Sequence, residues 1–346
     1  MNISMNNGFH CIDRRAFLAF CAVMPAALAN AGQPNPRSGA KARSVSIVHT
    51  VVFATTQGGG NPCPVVLSSG LTDADMQAIA NHFGQDTAFL LEPTQTGVDL
   101  RIRYFVPEHE MGISGHATVA AVTVALLTGI ARSGTIKVQT ITGVFAVRSQ
   151  KTGSGYLITL EQNPPEFGVM ADPNETARAL GIATADLALQ IGPIQSVSAS
   201  RPKLIVPLKS ISVLDGLKPD FEALWSLCEL KQVSGLYPFA LPESRDESRP
   251  NARQFPTRGG IPEDPATGVA AAALSAYLTR YSLRYADGTH QFEISQGVAM
   301  GAPSQITAIA ECANHTITRI AVQGAAKIIS RESLDLNLLT TNKTKG

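Results

Sequence analysis

Gly115-His116-Ala117-Thr118-Val119-Ala120-Ala121 and Asp264-Pro265-Ala266-Thr267-Gly268-Val269-Ala270 repeat one design at two places in the chain. Each opens a run of small and apolar residues with a loop that carries an ionisable group. Upstream, Arg103-Tyr104-Phe105-Val106-Pro107 leads to the first copy and Arg253-Gln254-Phe255-Pro256 to the second. A duplicated loop followed by an apolar helix predicts two related lobes whose helix N-termini meet at one cleft. The first helix, from residue 116 to a stop at Gly129, has no polar face, so it must be enclosed by protein. Strands wrapped around a central helix meet that need.

Working outward, residues 45–53, 65–67, 88–91, 99–106, 135–140, 144–150 and 156–162 read as strands. Thr72 reads as the cap of a helix with Asp73 and Asp75 in its first turn. Further on, helices are predicted over 175–180 and 221–230, and a second central helix over 267–281. Strands are predicted near 194–198, 203–206, 237–240, 291–296, 304–311, 317–322 and 327–329. Asn163-Pro164-Pro165 marks the boundary between the lobes. The first lobe is therefore assigned to residues 45–165 and the second to 166–314, with strands at about 315–340 returning to the first.

Composition narrows the function. The chain of 346 residues is 44% apolar and 16% charged, with a formal net charge of +1. That balance gives no footprint for nucleic acid or an anionic membrane. Asp13-Arg14-Arg15-Ala16-Phe17-Leu18, an apolar stretch over 19–28 and Ala29-Asn30-Ala31 have the three parts of an export signal. The paired arginines predict the twin-arginine kind, which carries folded protein to the periplasm. Residues 1–31 are read as this signal and 32–44 as a flexible tether. The competing reading is translation from a later start and a cytoplasmic protein. No later stretch is long and apolar enough for a membrane span. Beyond the signal, Cys63, Cys228 and Cys312 form neither a disulfide framework nor a zinc pattern.

Three side chains could do chemistry. His116 sits at the mouth of the first helix, where the helix dipole lowers its affinity for a proton and suits it to proton transfer. Its plainer role is a structural cap. Asp264 occupies what reads as the matching place before the second helix, where spacing alone makes it an N-cap. Asp86, in Gln85-Asp86-Thr87-Ala88-Phe89, leaves a helix and enters a strand. A carboxylate enclosed there by apolar walls could act as acid and base in turn, and its plainer role is a turn residue. Cys63, between Pro62 and Pro64, reads as a small buried side chain. His109 and His116, with Glu108 and Glu110, lack a third ligand, so no metal site is expected.

The order Phe53…Gly60-Asn61-Pro62…Val65-Val66, Asp86-Thr87-Ala88-Phe89, Arg103-Tyr104-Phe105…Glu110…Gly115-His116-Ala117-Thr118 resembles the phenazine-biosynthesis PhzF-like isomerases. Glu263-Asp264-Pro265-Ala266-Thr267-Gly268 and Gln296-Gly297…Met300-Gly301…Pro303-Ser304 continue the likeness over nearly all of the chain after residue 45. The resemblance implies the α+β, diaminopimelate-epimerase-like fold: two pseudo-symmetric lobes, each a β-barrel of strands around a central α-helix. It implies a homodimer as well, although the sequence carries no interface signature. It also implies a cofactor-independent isomerase that relocates a proton with a glutamate at the position of Asp86. Aspartate shortens that arm by one methylene, about 1 Å of reach. The serine that often follows Asp-Pro-Ala-Thr-Gly is Val269 here, and the usual Gly-His-Pro-Thr is Gly-His-Ala-Thr. In the thiol racemases of related fold, two cysteines stand at the helix mouths; Ser114 and Pro265 are the nearest counterparts and cannot serve as thiolates.

The expected function is proton relocation on a small carboxylate. Asp86, His116 and Asp264 are the catalytic candidates. Gly115, Ala117, Thr118, Thr267 and Gly268 would bind the substrate, the helix-mouth N–H groups holding its carboxylate or developing charge. The alternative is an exported protein of the same fold that binds a small acid and has lost the reaction.

Overall fold

The computed structural model describes residues 43–340, apart from 68, 245 and 259–260. The expected export signal and most of the tether lie outside the described residues. The first half begins with β1 (Ser44–Val52), β2 (Asn61–Leu67), α1 (Asp73–Phe83), β3 (Thr87–Leu91), β4 (Leu100–Phe105) and β5 (Glu110–Met111). It continues with α2 (Gly115–Leu127), β6 (Gly134–Thr140), β7 (Gly143–Thr152) and β8 (Gly155–Glu161). The second half opens with β9 (Glu166–Met170), α3 (Pro173–Leu180), β10 (Gln195–Ser198), β11 (Pro202–Leu208), α4 (Ile211–Asp215) and α5 (Phe221–Lys231). Next come β12 (Gly235–Ala240), β13 (Asn251–Ala252), β14 (Phe255–Pro256) and α6 (Gly268–Tyr281). The chain then forms β15 (Gly288–Gln296), β16 (Ser304–Ala313), β17 (Thr316–Gly324), β18 (Ala326–Asp335) and α7 (Leu336–Thr340).

The internal duplication is visible in strand pairing. Along β1-β2-β3-β4-β6-β7-β8 the pairings are antiparallel, parallel, antiparallel, parallel, antiparallel and antiparallel. Along β10-β11-β12-β13-β15-β16-β17 the same order recurs. A parallel pair requires a long crossover, and these crossovers carry α1, α2, α4, α5 and α6. The halves are stitched by β8 with β17, both antiparallel. Beyond each repeat the chain crosses over: β9 pairs with β10, and β18 pairs with β1 along its length.

Each repeat curls around its apolar helix. α2 packs against β1, β2, β3, β8 and β18, and every residue from Ala117 to Leu126 is buried. α6 packs against β10, β11, β15, β16 and β17 in the same way. A helix stripped of polar side chains on all sides is stable only when so enclosed. The two central helices belong to one continuous core and touch one another. Outside it, α1 and α7 cover one face of the first half's strands, and α3, α4 and α5 cover one face of the second's.

Thr72 does cap α1, through a reciprocal pair with Asp75, and Gly84 ends the helix in the left-handed region at φ 63°. β18 is far longer than the segment expected over 327–329, because its outward residues are polar and exposed and hide the alternation. The edge strand β9 is short and mostly exposed, and Gly168 in its middle leaves Phe167, Val169 and Met170 without a clear strand pattern. Among the described residues no helix is long and apolar enough to cross a membrane.

Candidate active site

The N-terminus of α2 is prepared by Ser114, which has the extended backbone of an N-cap but makes no side-chain cap bond. Its hydroxyl instead donates to Asp86 Oδ2 at 3.2 Å and lies 3.4 Å from His116 Nδ1. Asp86 comes from the turn between α1 and β3. His116 Nε2 is 3.7 Å from Asp86 Oδ2, inside ion-pair range and beyond hydrogen-bond length. It is buried without a hydrogen-bond partner among the described residues. Sequence reading made His116 a possible cap; the cap position belongs to Ser114.

α6 repeats the device. Thr267 has the N-cap backbone and no side-chain cap bond, because its hydroxyl donates to Asp264 Oδ2. The reading of Asp264 as N-cap, in the place matching His116, is therefore corrected. In helix register Gly115 corresponds to Gly268 and His116 to Val269, so Asp264 stands upstream of the cap. In both copies a hydroxyl that would have capped the helix holds a carboxylate instead, so the helix-mouth N–H groups lack their usual side-chain cap.

Asn61, the first residue of β2, ties the halves together. Its Nδ2 donates to Asp264 Oδ1 at 2.7 Å and to the Ala266 carbonyl at 2.9 Å. Gln296 supports the same loop: Nε2 donates to the Asp264 carbonyl at 2.7 Å and to Thr267 Oγ1 at 3.1 Å. Its Oε1 accepts from the Tyr237 hydroxyl at 2.9 Å. Burial raises the Asp264 carboxyl pKa; His116 and the Thr267 hydroxyl oppose that rise, and Asp86 adds to it. All three catalytic candidates thus share one electrostatic neighbourhood.

Two matching salt bridges brace the loops. Arg103 grips Glu110 with two bonds of 2.6 Å, and its guanidinium lies 5.1 Å from the Phe105 ring centroid. Arg253 grips Glu263 with two of 2.9 Å and lies 4.9 Å from the Phe255 ring. The repeated Arg-x-Phe upstream of each helix is the sequence trace of these braces.

The substrate-binding candidates divide. Above Gly115 a Cβ would meet nothing within 4 Å, so this helix start faces open space. Ala117 and Thr118 have fully buried side chains. Thr118 spends its hydroxyl on Tyr104, at 2.7 Å, and on the Ser114 carbonyl, and its N–H bonds Ser114 as well, which makes it a packing residue. Ala117 offers only its backbone. Gly268 is buried against Val322, and the Thr267 N–H points to Gln296 Oε1 at 3.3 Å. Ser114, Asn61 and Gln296 were not singled out as site residues from sequence; the signal was their place in the family-like motifs Gly60-Asn61-Pro62 and Gln296-Gly297 and, for Ser114, at the mouth of the first helix. Cys63 is buried, and burial and the charge of Asp86 push its thiol pKa well up, so it is no thiolate. Among the described residues no group of three His, Cys, Asp or Glu side chains is placed to hold a metal.

Residues 50–332 match the family model described as phenazine biosynthesis-like protein. The chain belongs to that family. An uncharacterized isomerase of Clostridium acetobutylicum is 31% identical over 284 residues, covering 80% of this chain and 94% of the relative. A trans-2,3-dihydro-3-hydroxyanthranilate isomerase of Pseudomonas chlororaphis is 30% identical over 287 residues, covering 82% and 97%. The crystal structure of a PhzF-family phenazine biosynthesis protein from Bacillus anthracis superposes with a TM-score of 0.77 at 26% identity, covering 84% of this chain and 99% of that one. The α+β two-lobe fold expected from the resemblance is the fold of these relatives, and the chain is an isomerase.

Proposed function

We propose that this isomerase moves a proton from one position to another on a small carboxylate, using its own side chains and no cofactor. The observation that carries the reading is the pair of helix N-termini whose cap hydroxyls are turned onto Asp86 and Asp264. Free N–H groups there suit a substrate carboxylate and the negative charge that develops when carbon loses a proton. Asp86, partly open to solvent and beside His116, is the group that takes the proton and returns it. His116 steadies the carboxylate, and half-buried Asp264 holds the opposite helix mouth. The Pseudomonas relative's compound, trans-2,3-dihydro-3-hydroxyanthranilate, is the first substrate to try, followed by other unsaturated and hydroxy acids. Replacing Asp86 by Asn should lower kcat by about 10²–10⁴-fold, the usual worth of a general acid–base; full turnover in that variant refutes the assignment.

A second reading, a carboxylate-binding protein without turnover, is favoured by one observation. Val269 puts an apolar side chain at the position of α6 that corresponds to His116 in α2. Binding of a small acid with no hydrogen exchange on any compound tested would support it.

A further inference from the structure

Two buried polar side chains beside the Asp264 loop are not used by the proton-moving cluster. Lys203, on β11, is 5% exposed. Alternate strand residues share a face, so it lies on the inner side with Ile205, while Leu204 and Val206 pack outward. Its ammonium donates to the Ser234 carbonyl at 3.0 Å. Three donors are available to a lysine, and this bond uses one. Asp264 is the carboxylate whose charge reaches it, and Arg201 adds a second positive charge nearby.

Gln254 is 1% exposed, and neither Oε1 nor Nε2 has a hydrogen-bond partner among the described residues. Its carbonyl accepts the Asp264 N–H at 3.0 Å, which anchors it to the catalytic loop. Both side chains converge on Gly235. The parallel register that pairs Leu204 with Leu236 sets Lys203 beside Gly235, and a Cβ on Gly235 would come within 2.4 Å of Gln254 Nε2. Among the described residues the ammonium makes one hydrogen bond and the amide none, an arrangement that is costly for buried groups.

We propose that Lys203 and Gln254 form a subsite for a second carboxylate on the substrate, so that the isomerase acts on dicarboxylic acids. The ammonium supplies the charge and the Gln254 amide a further donor, while Gly235, where a Cβ would meet Gln254 Nε2 and the Phe255 carbonyl at 2.4 Å, lets the amide pack close to the strand. This inference rests on the small-carboxylate reading above.

Succinate and butyrate have chains of equal length and differ in the distal carboxylate, so titration calorimetry with both tests the subsite. Wild-type protein should bind succinate about tenfold or more tightly than butyrate, the worth of one charge-assisted bond. Lys203→Met should erase that preference and leave butyrate binding intact. Gln254→Met should weaken succinate binding while raising Tm, because it removes an unpaired buried amide; a merely structural glutamine would not couple the two. Should Lys203→Met fail to fold, Gln254→Met decides. Equal binding of both acids by the wild type overturns the subsite and spares the carboxylate reading, as does a preference unchanged in the variants. Binding of neither acid overturns both.

Discussion

Lengthening the arm of Asp86 should speed the enzyme. His116 Nε2 stands 3.7 Å from Asp86 Oδ2, and the Ser114 hydroxyl stands 3.2 Å from the same oxygen. A charge-assisted bond closes at about 2.8 Å, so the imidazole contact is roughly 0.9 Å too long. Asp86→Glu inserts one C–C bond of about 1.5 Å, enough to cover that gap. The Asp86 side chain is 29% exposed, so the longer arm has room to settle. Misplacement of a reacting group by about 1 Å costs on the order of a hundredfold in rate, or about 2.7 kcal/mol of barrier. The expected gain in kcat is therefore about 10–100-fold, with KM little changed. Steady-state kinetics on the first compound found to turn over would measure it, with thermal melting to confirm an unchanged fold. A folded Asp86→Glu protein that is no faster than wild type would refute the argument from reach.

Other substitutions separate chemistry from stability. Asp264→Asn should abolish most activity yet hold or raise Tm, because burial already disfavours the charged carboxylate; a large fall in Tm contradicts this. Glu263→Ala leaves the buried Arg253 guanidinium facing only backbone carbonyls and should cost about 3–5 kcal/mol in denaturant unfolding. A loss below about 1 kcal/mol, the worth of an exposed pair, would show the brace to be solvated. Burial holds the Lys203 ammonium pKa down to about 8, against 10.5 when free. Between those values the unfolded chain binds more protons than the folded one, so stability tied to this group rises with pH. Lys203→Met should therefore be more stable than wild type below pH 8, relative to above pH 10.5, by up to about 3 kcal/mol. A difference between the two proteins that is flat with pH contradicts a buried ammonium.

Much of the fold was legible because the duplicated apolar helices leave few ways to be buried. Ten successive buried residues in α2, with no polar face, force strands to close around it. β18 was truncated because exposed polar side chains hide its alternation, and β9 was missed because five residues after two prolines, with Gly168 in the middle, make no clear pattern. At the site, the ionisable groups the sequence singled out are brought together, but their frame differs from the expected one. Asp264 looked like a cap because Asp before Pro-Ala-Thr makes a good one, whereas Thr267 holds that position and bonds Asp264 from it. Nothing local could show that Asn61 would reach Asp264 across the molecule. Nor could periodicity reveal Gln254 as an unpaired amide, since its neighbours Arg253 and Phe255 engage other partners.

Hydrogen exchange into carbon tests the central claim most directly. The protein would be incubated in heavy water with trans-2,3-dihydro-3-hydroxyanthranilate and a panel of small unsaturated, hydroxy and dicarboxylic acids, and each acid weighed by mass spectrometry. A proton shuttle at Asp86 predicts deuterium at carbon in at least one acid and its loss in Asp86→Asn. Incorporation that continues undiminished in Asp86→Asn, or none into any acid that binds, contradicts the account.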